Sequence, residues 1–178
     1  MNIKHCLIVF ITILFIIFLS QFNFNSLNFL RVHHFGLICR DHICVENVKD
    51  HAALHELFEK SLHQLQAREL DLEYSDIGIF VFCESQNCYT QFGGGNDIAI
   101  SYPWLGTVIS HKAWNQTIVT HELIHLIQYK HFGPLHTMLL PEWFREGMAY
   151  ALSGAPKEDI PSKYHAGVYL YQKMVRSD

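Results

Sequence analysis

The pattern of apolar and polar residues divides the chain into predicted helices and strands. Apolar residues recur at helical spacing from Asp50 to about Glu69, which predicts an amphipathic helix capped by Asp50. The run Ile77–Cys83 is rich in β-branched and aromatic residues and predicts a buried strand. Further predicted elements are short strands at Asp97–Tyr102 and Thr107–Ser110, a helix from about Gln116 to Phe132 between the cap Asn115 and Gly133, a helix from Pro141 to about Ser153, and a last helical stretch from Pro161 toward Asp178. Helices and strands in a chain of 178 residues predict one α+β domain.

The N-terminal residues differ from the rest because they are apolar without periodicity. The run Cys6–Leu19 has Thr12 as its single polar residue, and Lys4 precedes it, as in a signal peptide or a signal anchor. Its 14 residues are fewer than the roughly 20 that span a bilayer, but the aromatic residues that follow would suit the membrane interface. Because no convincing small-residue cleavage site is present, an uncleaved transmembrane anchor over residues 1–25 is favoured over a cleaved signal peptide.

Composition limits what the rest of the chain can do. Residues 26–45 are predicted to be an irregular linker, and residues 46–178 a globular domain. The net charge is −4 and the Lys and Arg residues are dispersed, so no surface for nucleic acid is expected. Histidine is abundant, with 13 residues, and only the spacing of these residues can indicate which of them bind a metal.

Four cysteines outside the apolar run suggest an oxidising environment. Cys39 and Cys44 form one C-x4-C pair, and Cys83 and Cys88 form another. In a small domain they suggest two disulfides, either within each pair or between the pairs. A structural zinc site is the alternative, although this spacing is looser than the usual one. Disulfides would place the domain of this single-pass membrane protein outside the cytoplasm, in the periplasm or outside the cell.

The run His121-Glu122-Leu123-Ile124-His125 carries the strongest chemical signal. Two histidines four residues apart on a helix differ by about 40° in direction, so both imidazoles can reach one Zn2+. Glu122 lies beside them, where a general base for a zinc-activated water belongs. Apolar flanking residues predict that the helix is buried. The alternative, two core histidines without a metal, would leave costly polar groups in the core.

Catalytic zinc requires a third protein ligand, and two residues compete for that role. His131 has the spacing of H-E-x-x-H-x-x-G-x-x-H, but Gln128 stands where that pattern needs the helix-breaking glycine. If the helix continues to Phe132, His131 points roughly 240° away from His125. Glu146 is the better candidate, because a following antiparallel helix could deliver its carboxylate and the adjacent glycine would permit close packing.

The two motifs together resemble those of a known family. T-H-E-L-I-H followed by P-E-W-F-R-E-G-M-A-Y is similar to the gluzincins, the thermolysin-like and aminopeptidase-like zinc peptidases with H-E-x-x-H and a downstream W-x-x-E-G. The resemblance implies an α+β zincin-like fold with a thermolysin-type catalytic core, in which a small β-sheet accompanies the H-E-x-x-H helix and a second ligand-bearing helix. It further implies Zn2+ held by His121, His125 and Glu146, with Glu122 as the base. Tyr164 and His165 are candidate donors to the oxyanion.

These observations predict a membrane-anchored zinc metallopeptidase that acts on a peptide or protein substrate. A strand before the metal helix, within Asp97–Ser101 or Thr107–Ser110, is expected to hold that substrate extended. Two alternatives stay open. One is a non-catalytic, zinc-stabilised interaction domain at the membrane, which would have no use for Glu122. The other is a zinc hydrolase of a non-protein amide, such as a cell-wall crosslink.

Overall fold

The structure, a computed structural model, describes Thr12 and residues 24–175. These residues form an α+β domain on one five-stranded mixed sheet. The strands are β1 (Ile38–Arg40), β2 (Ile43–Val45), β3 (Ile79–Cys83), β4 (Ala99–Tyr102) and β5 (Gly106–Ser110). The α-helices of this part of the chain are α1 (Val48–Gln66), α2 (Gln86–Gln91), α3 (Gln116–Phe132), α4 (Pro134–Leu139), α5 (Glu142–Ser153) and α6 (His165–Val175). Segments of 3-10 helix cover Phe24–Phe35, Tyr74–Asp76, His111–Ala113, Lys157–Asp159 and Ser162–Tyr164.

The sheet has the strand order β1-β2-β3-β5-β4, with parallel pairing in the centre and antiparallel pairing at both edges. Strand β3 is apolar on both faces because both faces are covered. Phe80 and Phe82 contribute to a core shared with α1 and α3, whereas Val81 belongs to a second core with α2 and the 3-10 segment Phe24–Phe35. Among the described residues, strand β4 pairs only with β5, which makes it an edge strand packed beside α3.

Helix α3 is held in place by its ends and by its burial. The Asn115 side chain caps it by accepting a hydrogen bond from the Ile118 amide at 3.0 Å. Leu123 and Ile127 are fully buried between the sheet and the neighbouring helices. The helix ends at Gly133, whose φ of 74° suits a residue without a side chain. The bounds predicted for this helix are confirmed.

Helices α5 and α6 cross at two glycines. A Cβ atom added to Gly147 would lie 2.5 Å from the backbone carbonyl carbon of Gly167. A Cβ added to Gly167 would in turn meet the carbonyl oxygen of Trp143. The two backbones are therefore in direct contact, and no side chain can be accommodated between them.

Gly147→Ala is expected to lower the free energy of unfolding by about 1–3 kcal/mol. The added methyl group would meet backbone, which cannot rotate away, and this outweighs the gain of about 1 kcal/mol that alanine brings to a helix. Urea unfolding followed by circular dichroism measures the change. Gly95→Ala is the matched control, since an added Cβ has no atom within 4 Å there. An unfolding midpoint of Gly147→Ala at or above that of the unmodified chain would contradict the expectation.

The predicted fold class, a zincin-like domain preceded by a transmembrane helix, is wrong. The structure instead has a small α+β domain with a five-stranded mixed sheet. Among the described residues, no helix combines the length and the apolar composition needed to cross a membrane. The proposed anchor, residues 1–25, lies almost entirely outside the described residues. Its apolar run of 14 residues is shorter than the roughly 20 residues that span a bilayer. Residues from Phe24 onward do not extend that run, because they belong to a 3-10 helix of the domain.

Residues 26–45, predicted as an irregular linker, are part of the folded domain. The 3-10 segment Phe24–Phe35 packs against the sheet through Phe29 and Val32, which are 2% and 3% exposed. Strands β1 and β2 follow as an antiparallel pair. Each of these strands has only three residues, which is too short for an alternating pattern to be recognised.

Both disulfides join cysteines of the same C-x4-C pair. Cys39–Cys44 links the paired strands β1 and β2, and Cys83–Cys88 links the end of β3 to α2. The structure thus has the within-pair alternative, and the four thiols are not free to bind a structural zinc. Disulfides in a small domain are typical of an oxidising, extracytoplasmic environment.

Candidate metal centre and cleft

Helices α3 and α5 bring three potential ligands to one point. His121 Nε2 lies 3.3 Å from Glu146 Oε2, and His125 Nε2 lies 3.6 Å from Glu146 Oε1. The two Nε2 atoms are 3.1 Å apart. All three ligand atoms lie within 4.8 Å of one another. Two imidazole nitrogens and one carboxylate oxygen are the donor set of a catalytic zinc site of the His2Glu type.

Gln128 fixes the chemical form in which His125 faces that point. The Gln128 Nε2 atom donates to the Arg145 carbonyl oxygen at 2.9 Å, so its Oε1 atom must be the one that faces His125. That oxygen lies 2.9 Å from His125 Nδ1 and can only accept a hydrogen bond. Neutral His125 therefore carries its proton on Nδ1 and directs the Nε2 lone pair at the ligand cluster, as a metal ligand requires.

The Nδ1 side of His121 is oriented by packing rather than by a hydrogen bond. Its Nδ1 atom is buried and has no hydrogen-bond partner among the described residues. Its ring lies against that of Tyr150, with 4.3 Å between the ring centroids. The residue itself is 5% exposed. A metal would bind at the opposite nitrogen, Nε2, which faces Glu146 and His125, and this donor set of two imidazoles and one carboxylate fits a zinc ion.

Glu146 is suited to ligation because its carboxyl stays ionised. Its side chain is 20% exposed, and burial by itself raises the pKa of this carboxyl. In the metal-free site, the hydrogen bond with His121 and the positive charge that a protonated His125 would carry outweigh burial and hold the pKa of Glu146 below its usual value. An anionic oxygen between two imidazoles would complete a cation site.

Glu122 is held beside the ligands but outside the cluster. Its Oε2 atom accepts a hydrogen bond of 2.8 Å from Ser101 Oγ on β4. Ser101 Oγ lies 2.8 Å from Thr107 Oγ1 on β5, and since a serine has one hydroxyl proton, Thr107 donates to it. Burial raises the pKa of Glu122, although the charge of His125 and the bond from Ser101 oppose the rise. A carboxylate with a raised pKa accepts a proton more readily near neutral pH.

The ligands and Glu122 line a cleft of about 700 Å3. Residues 96–101 form one wall, and residues of α3, α5 and the segment 159–164, together with Thr137 of α4, form the rest. Tyr129 connects two of these elements, because its hydroxyl donates to the Ser101 carbonyl oxygen at 3.2 Å. This hydrogen bond ties β4 to α3 beside the ligand cluster.

The alternative third ligand and the two candidate oxyanion donors from the sequence lie outside the ligand cluster or are bonded to other groups. His131 is an exposed residue near the end of α3 and does not join the cluster. Tyr164 lines the cleft, but its hydroxyl donates to Glu142 Oε1 at 2.6 Å. His165 Nε2 donates to the Ile160 carbonyl oxygen at 2.8 Å and lies outside the cleft lining.

Three residues of the site were missed from the sequence. Tyr150 lies four residues after Glu146, a helical spacing that could have placed it beside the ligands. Burial raises the pKa of its hydroxyl to about 12, with the Glu146 charge adding to the effect, so the proton stays on. Ser101 and Gln128 carry no local signal, because their roles depend on how β4 and α5 pack against α3.

No protein-family model, curated protein or solved structure matches this chain. The comparisons therefore add no ligand, substrate or partner to the residues described above. The chemistry of the cleft is the remaining guide to function.

Proposed function

We propose that this chain is a zinc-dependent peptidase, which hydrolyses peptide bonds with a zinc-activated water at a site with two histidine ligands and one glutamate ligand. The convergence of His121, His125 and Glu146 on one point, with Glu122 adjacent in an open cleft, carries the proposal. A purely structural zinc site would be closed by a fourth protein ligand. Among the described residues, no fourth His, Cys, Asp or Glu joins this cluster.

The mechanism follows from the positions of the protein groups. Zinc, when bound, would lower the pKa of a water to about 7 and polarise the scissile carbonyl. Glu122 takes the proton of that water and returns it to the departing amine. Ser101 keeps the carboxylate of Glu122 turned toward the cleft. Tyr150, whose hydroxyl remains protonated, replaces Tyr164 and His165 as our candidate donor to the developing oxyanion.

The substrate would bind as an extended chain along β4. This edge strand has backbone groups that β5 does not use, and an added peptide strand can pair with such groups. Residues from Asn96 to Ser101 line the cleft. Pairing there would pass the peptide backbone beside Glu122 and the ligand cluster.

Metal removal tests this function. The purified chain is expected to hold one zinc per molecule and to cleave a mixed peptide library. A chelator such as 1,10-phenanthroline should abolish cleavage, and added Zn2+ should restore it, because the water is not activated without the ion. Mass spectrometry of the products measures peptide cleavage, and elemental analysis of the protein measures the zinc content. Bound zinc without cleavage of any peptide would instead favour the non-catalytic interaction domain.

A further inference from the structure

The cleft contains a cationic side chain that the proposed reaction does not use. Arg145 immediately precedes the ligand Glu146 and lines the cleft. Its backbone is fixed on α3 by the hydrogen bond from Gln128 to its carbonyl oxygen. The backbone from which the Arg145 side chain extends is therefore held close to the candidate metal centre.

The guanidinium group of Arg145 has no hydrogen-bond or ion-pair partner within the described part of the chain, although its charge acts on the nearby Glu146 carboxylate. Its Nε atom is buried and makes no hydrogen bond, and no described carboxylate lies within ion-pair distance of the group. Lys163, the other cationic residue of the cleft lining, is bonded to Glu142 Oε1 at 3.2 Å. Arg145 is thus the cation of this cleft that remains available.

The nearby carboxylates are committed to other groups. Glu122 accepts from Ser101, Glu146 lies against the two imidazoles, and Glu142 accepts from Tyr164 as well as from Lys163. A buried, unpaired donor is costly. A planar guanidinium binds a carboxylate through two parallel hydrogen bonds, so an incoming carboxylate would satisfy Arg145 better than water does at this partly enclosed position.

We propose that Arg145 forms a subsite for a carboxylate group of the substrate, next to the bond that is cleaved. The inference rests on the proposed peptidase function. A peptide offers this chemistry in two places, its C-terminal carboxylate and an Asp or Glu side chain. Recognition of the first would make the protein remove residues from a C-terminus, and recognition of the second would make it cut beside acidic residues.

Three mixtures of tetrapeptides, each labelled with an uncharged fluorophore and otherwise built from neutral residues, separate these sources. One ends in a carboxamide, one in a free carboxylate, and one in a carboxamide with a single internal Glu. The zinc-loaded full chain is expected to prefer one carboxylate mixture over the neutral one by roughly 10- to 100-fold in kcat/KM, as for a charge-assisted hydrogen bond. Arg145→Gln should reduce this preference to about one. Lys163→Gln, which removes a cation already paired with Glu142, should keep it.

Binding measurements separate failure of this inference from failure of the proposed function. Fluorescence anisotropy with the same mixtures on zinc-loaded Glu122→Gln protein, with and without Arg145→Gln, needs no turnover. Discrimination that disappears with Arg145 supports the subsite even if the chain cleaves nothing. Cleavage with equal kcat/KM for all mixtures overturns the subsite and leaves the peptidase intact. Equal binding of all mixtures, or binding of none, also overturns it.

Discussion

Glu122→Gln is expected to lower kcat/KM for peptide cleavage by about 10³-fold, within the usual range for loss of a general base, while zinc remains bound. The amide is similar in shape to the carboxylate and can still accept the hydrogen bond from Ser101. It cannot take a proton from water at neutral pH. Because the ligand atoms belong to other residues, the metal site should be unchanged.

Activity and zinc content must be measured on the same preparation. Kinetics with a peptide from the library gives the activity, and elemental analysis gives the zinc content. Glu158→Gln is a suitable control, because this exposed residue lies outside the cleft lining and loses the same charge. If Glu122→Gln hydrolysed peptides at the original rate with a full complement of zinc, Glu122 would not be the base.

Glu146→Ala is expected to weaken zinc binding by more than about 100-fold. Loss of a group that merely orients a ligand costs 10- to 100-fold in affinity, and loss of a ligand should cost more. The two imidazole nitrogens, 3.1 Å apart, would also lose the carboxylate between them. Competition with a chromophoric chelator measures the dissociation constant.

His131→Ala is the matched comparison for that measurement. His131 is six residues beyond His125 and could be mistaken for a third ligand from its spacing, yet it is exposed and outside the cluster. Its replacement should leave zinc affinity unchanged. The reverse result, with zinc lost from His131→Ala and kept by Glu146→Ala, would require a different ligand set and a broken end of α3.

Elements whose signals are local could be predicted from the sequence. Helix α3 carries its own cap, Asn115, and its own terminator, Gly133, so both of its ends were correct. Helix α1 starts at Val48, because Asn47 accepts the hydrogen bond from the Lys49 amide and acts as the cap in place of Asp50. The preference for Glu146 over His131 depended on α3 continuing to Phe132, which it does.

Elements that depend on distant contacts could not be predicted. Strand β1 pairs with β2, and β2 in turn pairs with β3, which is more than 30 residues away in the chain. Helices α2 and α4 have six residues each, too few for a helical pattern to stand out. The bond between Ser101 and Glu122 joins residues on different elements, so no spacing in the sequence could indicate it.

The contact between Gly147 and Gly167 means that helix α6 helps to position the candidate metal ligand Glu146. Glu146 sits one residue from that contact, on a helix whose outer side rests on the backbone of α6. A chain truncated before Gly167 would keep every ligand and the base, yet the helix that delivers Glu146 would lose the surface that positions it. The smallest unit that can position all three candidate ligands therefore extends well beyond the two sequence motifs.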